Sequence, residues 1–183
     1  RMRDLEGKLA LVTGGGKGLG KVIATKLAER GARVIINFFH SLEAAKQTRA
    51  ELEATGAKVE VMRASVARKD QVDRMFNEIE EKFGYLDILV NNAASGAFVG
   101  TEGVTEDFFG RALDTNLKGS FWCARRAAPL MAKRGGGQIV NLSSMGAGQV
   151  IANYLVVGTS KAAVEALTRY LAVGYGPLNI RVN

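Results

Sequence analysis

The chain has 183 residues, of which 47% are hydrophobic and 23% are charged, and its formal net charge is +7. These values fit one soluble globular domain over residues 1–183 and exclude a disordered or fibrous chain. No apolar run approaches the roughly 20 residues that span a bilayer, and residues 1–8 lack the apolar stretch of a secretory signal. We therefore expect a cytoplasmic protein.

The positive charges are scattered along the chain and interleaved with acids. This pattern favours solvated helix faces first, an anionic cofactor or an acidic carrier protein second, and a nucleic-acid site only third. The single cysteine, Cys123, lies in an apolar helical stretch, which is typical of a core residue. With one cysteine and no ligand cluster, the sequence predicts neither a disulfide nor a metal site.

Short runs rich in Val, Ile and Leu alternate with longer helical patterns. The runs do not alternate with polar residues, which is typical of strands buried on both faces. Regular alternation of strand and helix predicts an α/β fold with a parallel sheet and helices on both faces. We expect strands at residues 9–12, 34–36, 59–62, 86–90, 139–142 and 180–182, and helices at about 19–30, 42–55, 69–83, 105–133 and 153–173.

Small and polar residues punctuate this pattern. Gly31, Gly56 and Gly84 each follow a helical stretch, where a left-handed residue is favoured. Ser41 and Thr105 stand where helix N-caps belong.

A glycine-rich segment joins the first strand to the first helix. Glycine is needed where the chain turns sharply and where the backbone approaches a pyrophosphate, and a helix N-terminus offers free N–H groups to phosphates. Glycines alone are weak evidence, but here they follow a predicted strand and open a predicted helix. We predict dinucleotide binding by Gly14, Gly16, Lys17, Gly18, Leu19 and Gly20.

The end of the second strand carries no acid. A site for NAD usually places a carboxylate there to hold the ribose hydroxyls, and here Phe38 stands at about that position. Together with the charge of Lys17, this favours NADP, whose extra 2′-phosphate His40 and Ser41 could also reach. For His40, a solvent-exposed loop residue is an equally good interpretation.

The fourth strand ends in two asparagines and small residues. In a doubly wound sheet the ligand lies beyond the carboxyl ends of the strands, where the strand order reverses, and the first and fourth strands flank that point. Asn92, Ala93 and Ala94 would leave room for a cofactor there, although an ordinary Asn/Gly loop has the same composition.

Tyr154 and Lys161 stand seven residues apart, which is nearly two helical turns and places both side chains on one face. A nearby ammonium favours the phenolate, so the pair could donate a proton, or a hydrogen bond to an oxyanion, beside a hydride donor. Lys161 could also hold ribose hydroxyls. Alone, a packed aromatic and a surface lysine would explain both residues, but they follow a serine-terminated fifth strand in a dinucleotide fold.

These motifs resemble the classical short-chain dehydrogenase/reductases over nearly the whole chain: Thr13-Gly14-x-x-x-Gly18-x-Gly20, Asn91-Asn92-Ala93, Asn116, Ser144 and Lys161. The resemblance implies a Rossmann-type sheet in the order 3-2-1-4-5-6. It also implies catalysis and proton relay by Asn116, Ser144, Tyr154 and Lys161, and a homo-oligomer, tetramer or dimer. Ser65 and Val66 stand where the family's adenine-contacting acid is usual.

The tyrosine spacing departs from the classical pattern. Classical members place tyrosine four residues before the lysine, where this chain has Val157. The spacing of Tyr154 resembles the NADPH-dependent enoyl-acyl-carrier-protein reductases of type III, as does the run 161–173. This implies reduction of an enoyl thioester in a fatty-acid or polyketide pathway, with Tyr154 stabilising the enolate and Ser144 a lesser, substrate-loop residue.

Two other functions stay open. One is a carbonyl (3-oxoacyl-thioester) reductase with unusual tyrosine spacing, and the other is a non-catalytic nucleotide-binding protein. Family members also continue past the sixth strand with a substrate-binding segment and a seventh strand, so residues 1–183 are expected to be a truncated domain that lacks both.

Overall fold

The computed structural model describes residues 4–183. The expectation that residues 1–8 carry no secretory signal falls in part on residues 1–3, which lie outside the described residues. Strands and helices alternate in the order β1 (Leu9–Val12), α1 (Gly18–Glu29), β2 (Arg33–Phe38), α2 (Leu42–Glu53), β3 (Val59–Arg63), α3 (Lys69–Phe83), β4 (Ile88–Asn91), α4 (Glu106–Leu113), α5 (Gly119–Ala132), β5 (Gly137–Asn141), α6 (Leu155–Tyr175) and β6 (Ile180–Val182).

Within residues 4–183, six parallel strands form one sheet in the order β3-β2-β1-β4-β5-β6, which confirms the predicted fold class. Val12 pairs with Ile36 of β2 on one side and with Val90 of β4 on the other. The strand order therefore reverses beside β1, and the carboxyl ends of β1, β2 and β4 meet at one edge of the sheet.

Alternate residues of β1 enter different cores, because successive side chains of a strand point to opposite faces. Leu9 and Leu11 pack in the core formed with α3, α5 and the end of α6. Ala10 and Val12 pack in the second core, beneath α1 and α2. Helices therefore cover both faces, as expected, and every residue of β1 is fully buried.

The structure confirms the left-handed glycines predicted after three helices and one of the two predicted N-caps. Gly31, Gly56 and Gly84 have φ angles of +98°, +85° and +78°. The Thr105 hydroxyl accepts a hydrogen bond from the Phe108 amide at 3.2 Å and so caps α4. Ser41 does stand at the N-cap of α2, but its side chain makes no capping hydrogen bond.

The helix predicted over residues 105–133 is interrupted. Between α4 and α5 the chain forms a π-helical turn, Asp114–Lys118. Single π turns inside α-helices are frequent at functional sites. This one contains Asn116, whose side chain a regular helix would have aimed differently.

The last helix begins later than predicted, at Leu155 instead of residue 153, and ends at Tyr175. Asn153 has φ +60°, a left-handed conformation that breaks the helical path and that asparagine tolerates better than most residues. Tyr154 is therefore the N-cap residue and not a helical one. The idea that Tyr154 and Lys161 share a helical face is wrong in that respect.

Candidate active site

The glycine-rich turn is tied to the end of β4 by hydrogen bonds. The Thr13 hydroxyl accepts from the backbone amides of Asn92 and Ala93, both at 3.0 Å. The Asn92 side-chain amide donates to the Gly14 carbonyl at 3.2 Å. A Cβ on Gly20 would lie 2.3 Å from that carbonyl oxygen, so only glycine allows α1 to start this close to β4.

A cavity of about 850 Å³ opens along this edge of the sheet. Its volume lies in the roughly 300–1,000 Å³ range of small-molecule and cofactor sites. All residues predicted to bind the cofactor line it except Lys161, namely Gly14, Gly16, Lys17, Gly18, Leu19, Gly20, Phe38, His40, Ser41, Ser65, Val66, Asn92, Ala93 and Ala94.

The first turn of α1 faces this cavity without a side-chain cap. Lys17 occupies the N-cap position and makes no side-chain hydrogen bond to the turn. Gly18 and Leu19 follow at the cavity wall, and a Cβ at Gly18 would meet no atom within 4 Å. An open, uncapped helix N-terminus is suited to an anionic phosphate, so these residues fit a dinucleotide.

Positive charge predominates on the cavity wall. Lys17, Arg68 and Arg111 line it, against one acid, Asp114. At the end of β2, Phe38 is only 6% exposed and offers no carboxylate. The wall therefore has charge to attract a phosphate and lacks, at the end of β2, the acid that holds the ribose hydroxyls in a site for NAD.

His40 lies at the cavity rim and is exposed. Its ring stacks edge-on against the Phe39 ring, with centroids 4.3 Å apart. Both interpretations of His40 therefore remain compatible with its position, since an exposed rim residue could still reach a ligand.

Some of the lining residues were not singled out in the sequence. Asn37 is 2% exposed, and its side-chain amide donates to the carbonyls of Met62 and Ala64 at 3.3 and 3.0 Å, which ties β2 to β3. A polar residue within an apolar strand is a signal that could have found it. Arg68, Gln71, Arg111, Asp114 and Thr115 also line the cavity, but nothing in their local sequence marks them.

The predicted catalytic serine and tyrosine meet beyond the end of β5. The Ser144 hydroxyl lies 3.2 Å from the Tyr154 hydroxyl, and it also accepts a hydrogen bond from the Gly146 amide at 3.3 Å. Two hydroxyl groups at this distance can share one ligand oxygen between them. The structure thus brings together two of the four residues predicted for catalysis.

Lys161 lies one turn and a half into α6, with its amine directed to the end of β5. Its ammonium donates to the Leu142 carbonyl at 2.5 Å, and the residue is 6% exposed. Burial lowers the pKa of Lys161 below its ordinary value of 10.5, because an ammonium loses hydration there. Lys161 is not among the residues that line the cavity.

Asn116 is fully engaged by protein groups. It is 1% exposed; its carbonyl oxygen accepts from the Ser95 amide at 2.8 Å, and its amide donates to the Ser95 carbonyl and to the Ser160 hydroxyl, both at 2.9 Å. It thereby links the loop after β4 to α6. The part that the sequence predicts for Asn116 in catalysis stays a prediction.

Val157 takes the place of the classical tyrosine and is buried, with 8% exposure. A Cβ on Gly96 would lie 2.3 Å from a Val157 methyl, so Gly96 allows the loop after β4 to pack directly on this valine. The position four residues before Lys161 is thus filled by an apolar contact.

Cys123 is fully buried in the core. Burial raises the pKa of the Cys123 thiol to about 12, which fits the predicted core residue and not a reactive thiolate. Within residues 4–183, no group of three or more His, Cys, Asp or Glu side chains could hold a metal ion. No helix in this part of the chain is both long and apolar enough to cross a membrane.

The chain is similar to known proteins over nearly all of its length. The family model described as short chain dehydrogenase matches residues 8–183. The chain is 40% identical over 182 residues to the hydroxynaphthalene reductase-like protein Arp2 of Metarhizium majus (strain ARSEF 297), covering 99% of this chain and 67% of that protein. It is 38% identical over 180 residues to versicolorin reductase stcU of Emericella nidulans, covering 98% and 67%.

Among solved structures, a 7α-hydroxysteroid dehydrogenase complexed with NADH and 7-oxo glycochenodeoxycholic acid has a similar fold. Its TM-score is 0.93 at 34% sequence identity, and the match covers 99% of this chain and 70% of that one.

Proposed function

The chain belongs to the short-chain dehydrogenase family, and from that premise we propose that it is an NADPH-dependent reductase of the carbon–carbon double bond of an enoyl thioester. The observation that carries this proposal is Val157 in the classical tyrosine position, while the Tyr154 hydroxyl lies 3.2 Å from that of Ser144. The phenol thus comes from Tyr154, at the spacing of the type III enoyl reductases.

The family uses a nicotinamide nucleotide, which supplies a hydride when bound. Tyr154 would donate a hydrogen bond to the thioester oxygen as it becomes an enolate, because charge develops there during addition to the double bond. Ser144 would support the phenol through the contact between the two hydroxyls. Lys161, held by the Leu142 carbonyl, would bind the ribose hydroxyls and keep positive charge near the phenol.

The preference for NADPH rests on the cavity wall. Lys17 and Arg68 lie there as cations, and Phe38 replaces the acid that holds the ribose hydroxyls in NAD sites. Gly14, Gly18 and Gly20 would hold the pyrophosphate at the start of α1, and Ser65 and Val66 would lie beside the adenine. His40 and Ser41 complete the proposed phosphate side of the site.

A carbonyl reductase is the second candidate, and a specific observation favours it. The curated relatives are named as reductases of hydroxynaphthalene type and of versicolorin, and the solved relative binds a 7-oxo steroid. The paired hydroxyls of Ser144 and Tyr154 would suit a carbonyl oxygen as well as an enolate oxygen. A non-catalytic nucleotide-binding protein is the third.

We further propose an acyl carrier protein as the donor of the thioester, since a chain of net charge +7 is complementary to an acidic carrier. Assembly as a homo-oligomer (tetramer or dimer) and a fatty-acid or polyketide pathway stay predictions from the family resemblance. A cytoplasmic location stays a prediction from the pattern of apolar residues.

The experiment compares the full-length protein on a crotonyl thioester and on an acetoacetyl thioester, each with NADPH and with NADH. We expect turnover of the crotonyl thioester with NADPH, and its loss by roughly a hundredfold or more in Tyr154→Phe, in line with removal of a hydrogen-bond donor to a developing oxyanion. Tyr170→Phe is the matched control, since Tyr170 lies in α6 and is 81% exposed. Turnover of the keto substrate alone would support the second candidate, and cofactor binding without turnover the third.

A further inference from the structure

The loop after β4 contacts the proposed catalytic tyrosine directly. The rings of Phe98 and Tyr154 have centroids 4.9 Å apart and an interplanar angle of 37°. This separation is typical of interacting aromatic pairs, which prefer offset or tilted arrangements. The Val99 amide also donates to the Asn153 carbonyl at 2.7 Å, so backbone and side chain of this loop both engage the segment that carries Tyr154.

A second segment approaches the same ring from the turn after β5. A Cβ on Gly146 would lie 2.5 and 2.7 Å from two ring carbons of Tyr154. The phenol thus packs against bare backbone there. The two contacts together leave the Tyr154 ring little freedom to rotate away from Ser144.

Tyr154 needs such contacts because α6 does not fix it. The residue is the N-cap, with φ −112° and ψ +16°, and it follows Asn153 in a left-handed conformation. A helical tyrosine has its side-chain direction restricted by the preceding turn, whereas Tyr154 has no helical turn before it. Its hydroxyl position is therefore decided by packing.

We propose that Phe98 is a positioning residue for Tyr154: its ring holds the phenol in the orientation that places the two hydroxyls of Ser144 and Tyr154 together. This inference rests on the proposed function and deepens it, since it names what aims the phenol when tyrosine is moved out of the helix. Phe98 is 69% exposed, so its removal opens no core cavity and tests orientation separately from folding.

The test compares Phe98→Ala, Phe98→Tyr and the control Val173→Ala, an 81% exposed residue near the far end of α6. We expect Phe98→Ala to lower kcat about tenfold while the KM for NADPH and the melting temperature stay unchanged, and Phe98→Tyr to restore kcat because it keeps the ring pair. Phe98→Ala within twofold of the parent protein would overturn the inference. So would a loss that Phe98→Tyr fails to restore.

A measurement independent of turnover keeps the inference separable from the proposed function. The chain has four tyrosines, so 3-fluorotyrosine labelling gives few ¹⁹F signals, and Tyr154→Phe assigns the relevant one. We expect that signal to shift in Phe98→Ala and to stay in place in Val173→Ala; an unshifted signal overturns the inference. Full turnover by Tyr154→Phe would instead overturn the proposed function itself, whatever the ¹⁹F signal shows.

Discussion

The hydroxyls of Ser144 and Tyr154 lie 3.2 Å apart, although the two residues are ten positions apart in the chain. Ser144 is the N-cap of a short 3₁₀ turn after β5, and Tyr154 is the N-cap of α6. Both positions are non-helical, and the segment between them brings the two side chains back to one point beyond the sheet. The pair thus depends on how this connection folds and not on a helical repeat.

Removing the Ser144 hydroxyl tests how much that residue contributes to kcat beside Tyr154. If Ser144 only supports the phenol, Ser144→Ala should lower kcat by roughly two- to tenfold, the worth of one hydrogen bond of about 0.5–1.5 kcal/mol. Steady-state kinetics on the crotonyl thioester measures this, with Ser143→Ala as control because that hydroxyl bonds Glu165 instead. A loss as large as that of Tyr154→Phe would mean that Ser144 is itself a main donor.

The preference for NADPH should depend on Lys17. The residue is exposed at the cavity wall, and Lys17→Ala should raise the KM for NADPH about tenfold, since a hydrogen bond to a charged group is worth about 1.5 kcal/mol or more. The KM for NADH should change much less, because NADH lacks the 2′-phosphate. Lys58→Ala, an exposed lysine away from the cavity, is the control. Equal changes for both cofactors would place Lys17 at the pyrophosphate instead.

The buried amine of Lys161 makes stability depend on pH. Because burial lowers its pKa below 10.5 in the folded protein, the folded state releases this proton at a lower pH than the unfolded chain does. The unfolded state then binds more protons between the folded pKa and 10.5, so stability rises with pH in that window, while below the folded pKa the cost of burying the ammonium is present in full.

The free energy of unfolding in urea, measured from neutral pH to 10.5 for the parent protein and for Lys161→Met, isolates this contribution. The difference between the two should move in favour of the parent protein as the pH rises. A difference that does not change with pH would show that Lys161 has the same pKa in both states.

The start of α1 should tolerate no side chain at Gly20. An alanine there would place its Cβ 2.3 Å from the Gly14 carbonyl oxygen and 2.5 Å from the Asn92 amide nitrogen. We expect Gly20→Ala to cost about 1–3 kcal/mol of unfolding free energy, as overpacking does, and to weaken NADPH binding. Gly110→Ala in α4 meets no atom within 4 Å and should instead stabilise by about 0.5–1 kcal/mol. Chemical denaturation measures the unfolding free energy of both variants, and an unchanged value for Gly20→Ala would contradict the predicted clash.

The two predicted N-caps should contribute different amounts to the free energy of unfolding. Thr105→Ala removes the hydrogen bond from the Phe108 amide and should cost about 1 kcal/mol. Ser41→Ala removes no capping bond and should change the unfolding free energy by only a few tenths of that. Thermal unfolding monitored by circular dichroism can rank the two; an equal loss would contradict the difference in capping.

The sequence was sufficient to predict the fold and to predict which glycine-turn residues lie together at the cavity. Apolar runs such as residues 9–12 are buried on both faces, so their composition predicts parallel strands without knowledge of their neighbours. The glycines behave likewise, because a left-handed φ at Gly31 or Gly84 is a local property that only glycine adopts freely. Gly14 and residues 16–20 are nearly contiguous, so they reach the cavity together once the strand and helix beside them form.

Only the tertiary structure shows which separate segments contact one another. Arg68, at the N-cap of α3, and Arg111, within α4, line the cavity although their local sequence resembles any solvated surface. The π turn contains Asn116, whose side chain bonds Ser95 and Ser160 at once, and no helical pattern in residues 105–133 could indicate these contacts. The phenol of Tyr154 packs against Gly146 from the preceding turn and against Phe98 from the loop after β4. The contact with Phe98 joins segments that lie far apart in the sequence, so only the tertiary structure shows it.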